Sequence, residues 1–457
     1  MKRWGAGLLL VLASCAGIVS VHSRSPRLIT DTDTSVLLAR LAERHNPWSW
    51  FITDWPLQNH FYRPITALSF ELDRLMCGSS PAGFGTCASI YCAVCVLALF
   101  WLAREFTDRP FIAAAAALLF AAWHYPFQLD WSQGATTLAG LVAIVGLIRH
   151  GIQFRRFLPA VLGISFIPLE LHGVHLREGP AGFYYGVLAW LPGRTASLMT
   201  LFVLCALASY ARYVRLGQAA PLEPSPSDPP ATRTSAQADE VPKTRWAWFV
   251  ASILCTALAL GSYEQAVTLP LLLLVVAFAM RATGFKFDWT LHLFFWLVLA
   301  GYVALRQNVL PLGPSTYQVQ ASRYGATVII SALQYIFPAA TDAANWWPVI
   351  SKSNLSFLTE FFYSVPWRLA GNLSLYWTAC RHSKLAAYEW LLSCLAFLPM
   401  AFLKPFPHYH YLPMALRSMF VASLLGVVAS LVVTAVSLPN LQAPRRLAPA
   451  PGSLPHR

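Results

Sequence analysis

The amino-acid sequence predicts an all-α integral membrane protein with about ten to twelve spanning helices. Hydrophobic residues make up 56% of the 457 positions and charged residues only 12%, against about 45–50% and about 25% in soluble domains. Apolar runs alternate with short polar connections along nearly the whole length. The 17 Trp and 17 Tyr suit membrane–water interfaces, where amphipathic rings collect.

The net charge of +13 is distributed as a membrane protein requires. Arg104 with Arg109, Arg149 with Arg155 and Arg156, and Arg281 with Lys286 form short clusters between apolar stretches, the pattern of cytoplasmic loops. No basic run lies beside stacking aromatics, so nucleic acid is not an expected partner. Cys92 and Cys95 sit inside an apolar run, where a free Cys acts as a small hydrophobe. Cys77 and Cys87 could bridge in an oxidising compartment, but two free thiols is the simpler reading.

Taken in order, Lys2-Arg3 and the apolar run Gly5 to Val21 define a first spanning helix at residues 1–22, with its N-terminus in the cytoplasm. A signal peptide is the alternative. Leu12-Ala13-Ser14-Cys15 matches a lipobox, yet the apolar run continues past Cys15 as an uncleaved span would. Residues 23–83 form a large extracytoplasmic loop. Thr34 can cap one amphipathic helix bearing Val36, Leu37, Leu38 and Leu41. Pro64 opens a second, bearing Ile65, Leu68, Leu72 and Leu75. Both are expected to lie at the membrane surface.

Residues 84–212 form a first membrane half, with spans near 82–103, 110–123, 135–148, 157–169 and 195–210. The Pro/Ser-rich stretch within 213–245 cannot build a core and reads as a disordered cytoplasmic linker. Residues 246–438 form the second half, with spans near 246–261, 266–280, 289–305, 386–403 and 414–438. The number of spans between 306 and 384 is open, and with it the side of the C-terminus. A basic, proline-rich tail occupies 439–457.

Polar residues at span ends carry the chemistry. Asp31 and Asp33, directly after the first span, suit a general base or a metal ligand; alternatively Asp33 only favours a helix N-terminus through its dipole. Arg63, between aromatic residues and Pro64, matches phosphate geometry. Trp131-Ser132-Gln133-Gly134 and Trp190-Leu191-Pro192-Gly193-Arg194 form a loose repeat of which only the second keeps an arginine. Glu264 occupies a tight turn between two apolar runs. His408, Tyr409, His410 and Tyr411 read as a polar binding wall rather than a metal site.

The order of these features resembles the GT-C superfamily of polytopic glycosyltransferases, in the branch of protein O-mannosyltransferases and the membrane part of transmembrane-TPR mannosyltransferases. The residues carrying the resemblance are Phe61-Tyr62-Arg63-Pro64-Ile65, Leu72-Asp73-Arg74-Leu75-Met76-Cys77-Gly78, Leu118-Leu119-Phe120-Ala121 with His124 and Pro126, and Trp190 to Arg194. Ser262 to Pro270 and Tyr409-His410-Tyr411-Leu412-Pro413 complete it, so that it covers about residues 5–435. The resemblance implies a GT-C-like bundle whose first outer loop is catalytic. It implies a polyprenyl-phosphate sugar as donor, a protein, lipid or glycan acceptor, and no tightly bound cofactor, leaving a divalent metal open. Asp31 or Asp33 would be the catalytic base. Arg63, Arg194 and His410 would surround the lipid phosphate, while Glu264, Tyr411 and His124 would shape the substrate pocket. Relatives usually have adjacent acidic residues, whereas Thr32 separates this pair. The composition and loops fit a bacterial inner membrane with the site facing the periplasm or exterior. A secondary transporter or flippase, or an inactive relative, is the alternative.

Overall fold

The computed structural model describes residues 2–24, 31–43, 46–125, 184–217, 236–286, 288–336, 376–377, 379–381, 383–404 and 406–437. Its regular elements are all helices, joined by turns and loops, with one isolated antiparallel bridge between Ser322 and Leu403. The α-helices are α1 (Lys2–Arg24), α2 (Thr32–Glu43), α3 (Pro64–Cys77), α4 (Pro81–Thr107), α5 (Pro110–Ala122), α6 (Arg194–Leu216) and α7 (Ala236–Leu260). They continue as α8 (Leu269–Ala282), α9 (Trp289–Val309), α10 (Thr316–Ala321), α11 (Ala326–Ile336), α12 (Lys384–Phe397) and α13 (Tyr411–Ser437).

Six helical segments are long and apolar enough to cross a membrane: Gly5–Ser23, Pro81–Thr107, Leu191–Leu216, Glu264–Ala282, Trp289–Val309 and Lys384–Phe402. The chain is therefore a multi-pass membrane protein, with six such helices among the described residues where the sequence predicts about ten to twelve spans. Part of the difference is length, because Pro110–Ala122 and Thr244–Leu260 are apolar but short. The expected spans 135–148 and 157–169, the Trp131 repeat, most of 337–384 and the tail 439–457 lie outside the described residues. So does 218–235, the centre of the expected linker, whose margins are helical in α6 and α7.

Helix α6 is the centre of the bundle, with 83% of its spanning window buried, while α9 lies at the periphery with 17% buried. Between the inner helices the contacts are made by small side chains: Ala88, Ser89, Cys92 and Cys95 on α4, Ala113, Ala116 and Ala117 on α5, and Ala196, Ala206 and Ala208 on α6. Small residues let helix backbones approach closely where lipid removes the hydrophobic drive for association. None of the nine cysteines is in a disulfide, Cys77 and Cys87 included. Helix α1 is continuous through Cys15, whose thiol donates to the Ala93 carbonyl of α4 at 3.4 Å, and Tyr125 Oη donates to the Ser14 carbonyl at 3.0 Å. The lipobox cysteine is thus a buried packing residue of a bundle helix.

The first loop carries its own small core of Leu37, Leu41, Trp50, Trp55, Ala67, Phe70, Phe84 and Leu191. Helix α3 begins at Pro64 as the sequence predicts. Its first free N–H, on Ile65, donates to the Gly261 carbonyl at 3.0 Å, and Thr66 Oγ1 donates to the Ser262 carbonyl at 2.9 Å. A Cβ at Gly261 would stand 2.7 Å from Ile65 Cγ1, so this glycine permits the approach. Helix α2 corrects the sequence reading: its cap is Asp31, not Thr34. Asp31 Oδ1 accepts the Thr34 N–H at 2.8 Å, and Thr34 itself is buried within the helix. An aspartate placed three residues before a free backbone N–H meets the N-cap geometry, which Thr34 inside the first turn does not.

Candidate functional site

A cavity of about 210 Å³ opens where the first loop, the turn before α6, the turn between α7 and α8, and the turn before α13 meet. Asp33 is at its mouth and Arg63 in its wall, with Trp190, Tyr263, His408 and Phe61 as its principal rings.

Each side chain is positioned by a local device. Asp54 accepts the His60 and Phe61 N–H groups at 3.0 and 3.1 Å, closing a tight loop in which His60 adopts φ 61°. That closure turns Asn59, Phe61 and Arg63 toward the cavity. Arg63 donates to Glu264 Oε2 from Nε at 2.8 Å and from Nη2 at 2.7 Å. Its guanidinium lies over Phe61 at 4.1 Å and Tyr263 at 4.5 Å. Burial opposes the Arg63 charge, but Glu264 and then Tyr263 hold it above its ordinary value.

Asp31 has both oxygens engaged. Oδ1 caps α2, and Oδ2 accepts the Trp190 indole N–H at 2.8 Å. Asp33 follows at the exposed side of the first turn. Partial burial, and then the Asp31 charge, hold its carboxyl above the usual carboxylate range. Trp190 packs on His408 with ring centroids 5.0 Å apart. Burial, followed by the charges of Arg63 and His410, lowers His408 to about 3. The imidazole is therefore neutral near pH 7 and lines the cavity as an uncharged ring.

Gln265 ties the far side together, its amide donating to the Ala396 and Tyr409 carbonyls at 2.9 and 3.1 Å. Gly193 and Gly186 provide a second close approach, since a Cβ on Gly193 would collide with the Gly186 carbonyl oxygen. Gly193→Ala is expected to cost about 1–3 kcal/mol by overpacking and to displace Trp190 and Pro192. Thermal unfolding in detergent, with Trp fluorescence as the local readout, measures both effects. An unchanged midpoint would show that the turn yields freely.

Of the residues singled out from sequence, Asp33 and Arg63 line the cavity, while Asp31 and Glu264 each hold one of its walls. Arg194 does not reach it. Its side chain is 1% exposed, paired through Nη1 with Asp73 of α3, and donates from Nη2 to the Phe84 carbonyl at 3.3 Å. His410 turns away to stack on Phe397 at 5.0 Å and Tyr335 at 5.9 Å. His124 and Tyr411 share a 2.7 Å hydrogen bond in the bundle core. For His410 and Tyr411 the reason is the short turn Pro407–His410, whereas His124 is held at the end of α5, its N–H donating to the Ala121 carbonyl. The turn presents His408 and Tyr409 to the cavity and sends the next two residues inward. Trp190 and His408 belong to stretches the sequence marks out, but nothing in the spacing selects them over their neighbours. Among the described residues, no group of three or more His, Cys, Asp or Glu side chains gathers as a metal site.

No family model, curated protein or solved structure matches the chain.

Proposed function

We propose that this chain is a GT-C-like glycosyltransferase that moves a sugar from a polyprenyl-phosphate-linked donor to an acceptor hydroxyl. The observation that carries the reading is the exposed Asp33 carboxylate at the mouth of an aromatic-lined cavity that also presents Arg63. The cavity, about 210 Å³, is smaller than the roughly 300–1,000 Å³ of drug-sized pockets. It suits a single sugar ring better than a lipid tail.

In this mechanism Asp33 takes the proton of the acceptor hydroxyl. The acceptor oxygen bonds to the anomeric carbon as the bond from that carbon to the phosphate oxygen breaks, and the lipid phosphate leaves with the electron pair. Arg63 is preorganised by Glu264 beside the leaving group, where a fixed cation lowers the barrier most. Asp31 and Trp190 hold the start of α2, and with it Asp33, in place. Arg104, Arg109, Arg212, Arg215 and Arg281 lie at the helix ends opposite the cavity, which by the positive-inside rule supports a site on the outer side. A bacterial inner membrane, with the site facing the periplasm or exterior, is the setting we propose.

The test is transfer from radiolabelled polyprenyl-phosphate sugars in proteoliposomes of the full chain. Transfer from at least one donor is expected; none from any donor would return the reading to a transporter or an inactive relative. The pH profile supplies a second check. A base must be deprotonated to act, and Asp33 is held above the ordinary carboxylate value. The acid limb of kcat/KM is therefore expected at a pH above the unperturbed Asp value of about 3.9, and to report the free enzyme. A limb at or below that value would exclude Asp33 as the titrating group.

A further inference from the structure

A second cavity, about 260 Å³ in volume, lies on the other side of the segment carrying Asn59 to Arg63 and is lined by His60, Arg306, Gln307, Pro311, Leu312 and Gln318, among others. The two cavities share one wall, in which Asn59, Phe61 and Arg63 face the first and His60 faces the second. We infer that this second cavity is a binding site for the phosphodiester of an anionic membrane lipid, held by Arg306.

Charge supports this assignment. The arginines nearest the first cavity are compensated, Arg63 by Glu264 and Arg194 by Asp73. Arg306 has no carboxylate within ion-pair distance among the described residues. Its Nη2 meets only the His60 carbonyl in the described contacts, at 3.4 Å. A guanidinium has five N–H donors in a planar fork matched to phosphate oxygens, so Arg306, which lines the cavity, keeps donors for a ligand there. Gln318 stiffens the site: its amide N–H donates to the His60 carbonyl at 3.1 Å while its carbonyl accepts the Ser315 N–H at 3.0 Å in a capping box.

Position identifies a lipid as the source of the phosphate. Arg306 is in the last turn of α9, the helix at the edge of the bundle. The outer surface of α9 is apolar and exposed through Leu293, Phe294, Leu297, Val303 and Leu305. Acyl chains laid along it would bring a headgroup level with Arg306. Beyond the helix, Leu312 is 97% exposed, as expected of a residue that dips into the headgroup region. A soluble phosphate ester would gain nothing from these apolar contacts.

The experiment is photo-crosslinking of the full chain in phosphatidylcholine nanodiscs doped with a headgroup-photoreactive phosphatidylglycerol, with the adducts mapped by peptide. Wild type is expected to label within 306–318, more strongly than with the matching phosphatidylcholine probe. Arg306→Gln should reduce that labelling about tenfold, in line with the loss of a charge-assisted contact. Arg306→Lys should keep most of it, which separates loss of charge from loss of fold, and Arg281→Gln at the other end of the helices should change nothing. Equal labelling in wild type and Arg306→Gln, or no preference for the anionic probe, would overturn the inference. Inorganic phosphate abolishing the labelling at physiological ionic strength would also overturn it, assigning the cavity to a soluble ion.

Discussion

Replacing Asp33 by Asn is expected to lower sugar transfer by about 10²–10⁴-fold, the usual worth of a positioned general base, with the protein still folded and inserted. The fold should survive because the start of α2 is held by Asp31 through its cap and its bond to Trp190. Asp33 contributes to the helix only through the dipole, worth about 0.3–1 kcal/mol at an exposed position. Asp31→Asn makes the informative contrast. Asparagine caps a helix as well as aspartate does, so the helix start is retained. The bond to the Trp190 indole loses its charge, and Asp33 loses the neighbouring charge that helps to raise it. A several-fold fall, with the acid limb of the pH profile moved downward, is the expected result for Asp31→Asn. The measurement is kcat/KM against pH for wild type and the two variants. If Asp33→Asn transfers like wild type, Asp33 is a helix-stabilising residue and nothing more. If Asp31→Asn is the inactive variant, the two roles are exchanged.

The separation of these two aspartates shows what the sequence could disclose. It locates an acidic pair at the start of a loop helix, and the structure has that helix. It cannot say which carboxylate faces the cavity, because Asp31 is occupied by an indole 159 positions away. The same limit governs the arginines. Arg63 and Glu264, 201 positions apart, are both legible as charges at span ends, and the contact of Ile65 and Thr66 with the carbonyls of Gly261 and Ser262 brings them together. His408 and Tyr409 face the cavity instead of His410 and Tyr411 because of a single short turn after Pro407. Periodicity finds helices well but does not resolve the direction of a side chain within such a turn. Span length is a separate limit: hydropathy marks apolar runs, and Pro110–Ala122 is apolar and buried yet short for a crossing.

Arg194 carries the other large expected effect, and on stability in place of catalysis. Arg194 and Asp73 are 1% and 0% exposed at the side chain, so removing either partner leaves a charge in a low-dielectric site. Arg194→Leu is expected to destabilise the protein by about 3–5 kcal/mol, read as a lowered unfolding midpoint in detergent. Its pH dependence gives the cause away. Burial already holds the Asp73 carboxyl above its ordinary value, with Arg194 pulling it back down. Without Arg194 the carboxyl rises further, and a group whose folded-state value is raised loses stability as pH rises through that value. The defect of Arg194→Leu should therefore be largest at neutral and alkaline pH and shrink as the solution is acidified. Asp73→Asn leaves a guanidinium that stays protonated at any working pH, so its defect should persist across the same range. The double variant Asp73→Leu with Arg194→Met replaces the pair by apolar side chains of similar reach and should recover much of the lost stability. Because neither residue touches the cavity, the double variant should also retain sugar transfer. Single variants that unfold like wild type while losing transfer would return Arg194 to the donor phosphate, and the Asp73 pair would then be a resting contact that substrate displaces.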